Sequence, residues 1–258
     1  MNTLRLMILS PLLACAGGDS GGDTDTGYPC DFSADPCDSG VAWITTCEVY
    51  PTIQAALDAA ENGTTVHVCA GTYTEALTVD GTCGTVAHND EHINLNGEGS
   101  SSTVINAAGM GTAECGSVLD VGQVDLDVFG LTLTGGAGRA GENGTMGGGI
   151  YGDGARLVMS DVVITGNAAD YGGGMAMESS EVTLTDGAVT LNAGFQGGGV
   201  WASRSGTVTS ITTDWGTSTQ DNAPEDVLLI DSAGAESPSY SYGAAESFTC
   251  TVDTLVCE

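Results

Sequence analysis

His88, Glu91 and His92 fall in the order His-x-x-Glu-His. That order holds zinc when it lies on a helix, because two imidazoles four residues apart then share one face. Here the flanks read as a loop before and a strand after, so the two histidines are expected on a polar surface loop. Asp125 and Asp127 alternate along an apolar run. On a strand they point the same way, and with Asp161 or Asp120 as a third ligand they would offer hard oxygens to Ca²⁺. The same alternation is also where a solvated outer face puts its polar residues. Arg139, Arg156 and Arg204 are the cations beyond the first few residues, and there is no lysine. Arg139 lies in a glycine-rich loop, 135–149, read as a mobile flap with a solvent-facing arginine. A catalytic site needs several groups that converge, and no residue is assigned a catalytic role. Tyr151 and Trp201 share one phase of a repeat, with Ala176 between them. Stacked on an outer wall, they would form a platform for a sugar ring.

The elements that must position these groups follow from that repeat. Gly-Gly-Gly occurs at 147–149, 172–174 and 197–199, followed by Ile150, Met175 and Val200. Asn167 and Asn192 recur at one phase, and Asn222 extends it. A fixed period of this length marks a stacked solenoid. Short alternating runs separated by Gly, Asn, Asp or Ser read as its strands. The period predicts Ile150 over Met175 over Val200, Leu157 over Val182, Met159 over Leu184 and Ile164 over Val189. It also predicts an internal amide ladder through the asparagines. Ahead of the repeats, 50–60 reads as an amphipathic helix with Thr52 as N-cap and Gly63 as its stop. At the far end 228–230 reads as a last strand, and Tyr240, Tyr242 and Phe248 with Cys250 and Cys257 as a closing cap.

Composition limits the partners. The chain has 258 residues, 34 acidic and four basic, for a formal charge of −30. Nucleic acid is excluded as a partner, since phosphate binding depends on Lys and Arg. Residues 1–14 read as a lipoprotein signal peptide: a basic start, an apolar run too short to span a bilayer, and Leu12-Leu13-Ala14-Cys15. That tetrad resembles a bacterial lipobox, Leu13 being its less typical member. The resemblance implies a lipid on Cys15 and, with Ala16 beside it, a bacterial outer membrane or cell surface. Residues 15–28 read as a flexible Gly/Asp tether, and 29–258 as a single domain with Cys-rich ends. Cys30, Cys37, Cys47, Cys69, Cys83, Cys115, Cys250 and Cys257 form an even set suited to disulfides in an exported protein. Proximity in sequence suggests 30–37, 47–69, 83–115 and 250–257.

The opening segment, with its small helix followed by Gly71-x-Tyr73-x-Glu75 and the runs at 95–97 and 103–106, resembles right-handed parallel β-helix proteins of the pectin-lyase-like superfamily. The triplets and [Ile/Val]-x-x-Asn resemble the repeat of polymorphic outer-membrane proteins, with Ile164 and Val189 in place of Phe. These resemblances imply an all-β, right-handed parallel β-helix of about eight coils, each near 25 residues, with a short N-terminal capping helix. They also bring in the superfamily's lyases, polygalacturonases and methylesterases. The motifs of those enzymes are missing apart from Gly-x-Tyr-x-Glu. The expected function is therefore a non-catalytic, lipid-anchored surface module: adhesive, structural or glycan-contacting. It would require no cofactor, would be membrane-attached by lipid, and would meet a polysaccharide or a cell-surface protein. A divergent carbohydrate-active enzyme and a Ca²⁺-binding surface module are the alternatives.

Overall fold

The computed structural model describes residues 30, 35–79, 85–110 and 115–258. The signal sequence, Cys15, the tether and Cys83 lie outside the described residues. No helix among the described residues is long and apolar enough to cross a membrane.

The chain winds into a parallel β-solenoid whose strands form three stacks. The first stack runs through Thr65–Val68, His92–Asn96, 125–129, 156–160, 181–185 and the second half of Val200–Thr213. The second holds Gly71–Tyr73, Thr103–Asn106, 132–134, 163–165 and Ala188–Thr190. The third holds Leu77–Thr78, Leu119–Val121, Ile150–Asp153, 175–178, 200–204 and Val227–Asp231. There are about six turns rather than eight. The 25-residue step holds from Ile150 to Met175 to Val200. Earlier coils are longer, Leu77 pairing with Leu119 and Leu119 with Ile150. Both chain ends go into caps instead of coils.

The predicted inward pairs all form: Ile150–Met175–Val200, Leu157–Val182, Met159–Leu184 and Ile164–Val189. Each of these side chains is buried. Like residues at the parallel strand spacing keep the apolar spine continuous.

Corners account for the glycine triplets. Gly172 has φ +65°, and a Cβ there would lie 2.0 Å from the Met175 carbonyl oxygen. At Gly173 it would lie 2.3 Å from the Ala193 oxygen of the next coil. The first glycine therefore supplies a left-handed corner and the second a close approach of backbones. At another corner, between the first and second stacks, Gly130, Asp161, Asp186 and Thr212 take φ of 65°, 51°, 51° and 52°. Aspartate tolerates that region better than most residues.

The amide ladder is built as expected. Asn167 Nδ2 donates to the Leu133 carbonyl and to Asn192 Oδ1, both at 3.1 Å. Asn192 Nδ2 donates to the Ile164 carbonyl at 2.9 Å and to Asn222 Oδ1 at 3.0 Å. The ladder ends where Asn222 Nδ2 meets the buried Asp226 carboxylate at 2.7 Å.

Caps close the solenoid. The helix α1 (Ile53–Asp58) has Thr52 as N-cap, its hydroxyl accepting from Ala55 N–H. Glu75 accepts from the N–H groups of Ile53 and Gln54, and Tyr73 O–H donates to the Cys69 carbonyl. Gly-x-Tyr-x-Glu is therefore a capping device in this chain. At the other end Glu246–Thr251 runs antiparallel to the last coil. Trp215 is fully buried there against Phe248 and Tyr242. The disulfides with both partners among the described residues are Cys30–Cys47, Cys37–Cys69 and Cys250–Cys257. Two pairings suggested by proximity, 30–37 and 47–69, are thereby corrected. Ala42–Ile44 lies antiparallel to both Val49–Tyr50 and Thr65–Val68, which folds the entry segment back on itself. Cys115 is disulfide-bonded, and its expected partner Cys83 is not among the described residues.

Candidate functional site

The outer wall of the third stack carries the chemistry. In one row Thr78, Asp120, Tyr151, Ala176, Trp201 and Leu228 are direct lateral neighbours. In the next row stand Asp153, Glu178, Ser203 and Ile230. Parallel stacking puts side chains from consecutive coils side by side, so residues distant in sequence become one surface.

This wall is largely covered. Asp120 is 2% exposed and Tyr151 8%. The loop at 135–149 is a short antiparallel hairpin, Arg139–Gly141 with Gly144–Met146, and not an open flap. Its Arg139 is not simply solvent-facing. Arg139 Nη1 donates to both oxygens of Asp120, at 3.0 and 3.2 Å, and its guanidinium lies 4.9 Å from the centre of the Tyr151 ring. Tyr151 O–H donates to Glu178 Oε2 at 2.7 Å, and Arg204 Nη2 sits 3.0 Å from Glu178 Oε1. Burial, then the bond to Glu178, holds the Tyr151 phenol well above its ordinary value. The result is a connected line of two carboxylates, two arginines and a neutral phenol, Asp120–Arg139–Tyr151–Glu178–Arg204, whose members satisfy one another.

Tyr151 and Trp201 share a row as expected, but Tyr151 is no open platform because Arg139 covers it. Trp201 is half-buried, and its ring packs against Tyr171 at 5.6 Å between centres. Trp201 Nε1 and Ser203 Oγ are buried without a hydrogen-bond partner. Sequence reasoning missed Tyr171 and Glu178, and named Arg204 without placing it at this wall. Glu178 was available from phase alone, since it stands one repeat after Asp153. Arg139 was not, because its aim depends on the hairpin.

Other sequence candidates separate in space. His88 Nδ1 meets Glu91 at 2.8 Å, whereas His92 Nε2 meets Asp127 at 3.2 Å. The expectation of two histidines on a surface loop is corrected: His88 is buried on a loop, His92 is exposed on the strand His92–Asn96, and they use different carboxylates. Asp125 and Asp127 share the outer face of the first stack, beside Arg156 and Val158. Asp161 is not with them: it accepts from Ser100 N–H and O–H at 3.1 and 2.6 Å. Asp120 belongs to the third stack, held by Arg139. Among the described residues, one group of metal-ligating types lies close enough to share an ion: Cys37, Cys69 and Glu98. Its two cysteines are joined in a disulfide.

The chain matches no family model and no curated protein. Among solved structures it is similar to pectin methylesterase PemA from Erwinia chrysanthemi, at 17% identity and a TM-score of 0.40. The likeness covers 61% of this chain and 50% of that one, so the chain spans half the length of that enzyme. It transfers no activity. The class rests on the chain's own architecture, a parallel β-helix.

Proposed function

We propose that this protein is an exported, lipid-anchored surface β-helix that contacts glycans through the outer wall of its third stack, without catalysis. The observation that carries this reading is the half-buried Tyr171–Trp201 pair, Trp201 on that wall and Tyr171 on the turn beside it, next to acids and arginines already engaged with one another. Aromatic faces on a rigid solenoid wall suit sugar rings, and solenoid surfaces commonly serve as binding faces. Export is supported by the signal-like start and by disulfides at both ends of the fold. The repeat, similar to that of polymorphic outer-membrane proteins, fits a surface role. Ca²⁺ binding at Asp125 and Asp127, as a surface module, is the further alternative, read with and without chelator.

A second reading is favoured by one observation. Asp120, Glu178, Arg139 and Tyr151 converge, as a carbohydrate-active enzyme would require. Their burial and mutual satisfaction weigh against turnover. The test is a glycan array probed with the purified full-length protein, with every hit then assayed for cleavage. Binding without cleavage is expected. Turnover would make the enzyme reading primary, and an array with no hits would contradict both.

A further inference from the structure

Next to the wall, the turns leading into the third stack form a second surface. They stack as a narrow ladder of bridges, Met146–Tyr171–Gln196 on one line and Ala168–Ala193–Ala223 on another. An open groove of about 500 Å³ runs over them. Ala168, Ala169 and Ala193 give it a shallow apolar floor, Phe195 a wall, and Thr145 and Asp170 a polar edge. Phe195 is 76% exposed, well above the next large apolar side chain, Leu191, at 49%. Its backbone is fixed, because Phe195 N–H and Gln196 N–H both donate to the Asp170 carbonyl, at 2.8 and 3.0 Å. The backbone that carries this exposed phenyl ring is therefore fixed, and binding has to order the side chain but not the turn. Asp170 Oδ2 accepts from Thr145 N–H and O–H at 2.8 and 3.1 Å, and its Oδ1 takes neither bond.

We propose that this groove binds a sugar chain carrying free amino groups, a glucosamine-type oligosaccharide. The proposal rests on the glycan-contacting reading above and names the ligand's chemistry. The ring face of a pyranose packs on Phe195 and the alanine floor, and its ammonium meets Asp170. Charge selects the occupant. The lining holds a carboxylate and no arginine. The chain carries −30 overall, a field that gathers cations and repels uronates.

The experiment is equilibrium titration of the full-length protein with glucosamine oligomer, its N-acetylated counterpart, oligogalacturonate and spermine. Spermine matches the charge without a ring and so reports attraction by net charge alone. Phe195→Ala and Asp170→Asn are compared with Trp201→Ala, and thermal melts confirm that each variant is folded. Phe195 and Asp170 are exposed and Trp201 is half-buried. The glucosamine oligomer is expected to bind best, with on the order of tenfold loss in Phe195→Ala and a smaller loss in Asp170→Asn. Spermine binding should not change in Phe195→Ala. If glycan binding is lost in Trp201→Ala but intact in both groove variants, the groove proposal fails and the wall reading stands. Equal or tighter binding of the N-acetylated or acidic oligomer also overturns it. No binding of any glycan overturns both.

Discussion

Asn192 has all four of its amide hydrogen-bonding positions occupied. It donates to the Ile164 carbonyl and to Asn222, and its Oδ1 accepts from the N–H and the side chain of Asn167. Substituting Asn192→Leu keeps the branched heavy-atom skeleton, removes every polar atom and strands those partners in the core. We expect a loss of about 3 kcal/mol or more by denaturant titration, since each orphaned buried group costs roughly 1–3 kcal/mol. A loss below about 1 kcal/mol would deny the ladder its role. At the ladder's end, burial pushes the Asp226 carboxyl up to about 6 from 3.8, with Asp221 and Glu225 adding to the rise. Hydrogen bonds from Asn222 and from the Tyr242 N–H work in the opposite direction. The folded state thus holds a proton that the unfolded chain gives up near pH 4. This group's contribution is fully present below that pH and is lost as pH rises through about 6. The stability difference between wild type and Asp226→Asn should therefore move against wild type across that window. A flat difference would contradict the assignment. The ladder and the inward pairs were legible in the sequence because a strict repeat fixes phase, and phase fixes which residues touch. The burial of Tyr151 was not, since its cover is an arginine from an inserted hairpin with no counterpart among the described residues of the other coils.

Among the elements, the corners set what the sequence must be. A methyl at Gly173 would overlap the Ala193 carbonyl at 2.3 Å, so the neighbouring coil would have to move. Overpacking of that kind costs typically 1–3 kcal/mol, and Gly173→Ala should lower the melting temperature accordingly. An exposed control, Gly234→Ala, meets no atom within 4 Å, though its φ of +82° still carries a backbone cost. If the two variants melt alike, steric contact between coils is not what holds the triplets. Element types were largely legible, including the short helix and its Thr52 cap. Two things were not. The number of coils was overestimated, because insertions before Ile150 lengthen coils without breaking the apolar alternation. The N-terminal disulfides were misassigned, because Cys37 reaches Cys69 and Cys30 reaches Cys47 only once Ala42–Ile44 has folded antiparallel between its neighbours.

On the scale of the whole molecule, a continuous apolar spine carries a rigid wall, and both open ends are covered. The helix α1 and Glu75 close one end, and the Trp215 cluster and Cys250–Cys257 close the other. Capped ends prevent end-to-end strand pairing. The strong negative charge keeps such an extended surface soluble and selects against anionic partners. Between the caps lies the lateral surface, where consecutive coils bring Tyr171 and Trp201 together. The most direct test of this account is the affinity of the best array hit for the wild-type protein and for Trp201→Ala, measured with and without chelator. Loss of aromatic stacking on a sugar should weaken binding by on the order of tenfold while the melting temperature stays within a few degrees. Unchanged affinity in Trp201→Ala would show that the wall of the third stack is not the surface that meets the glycan.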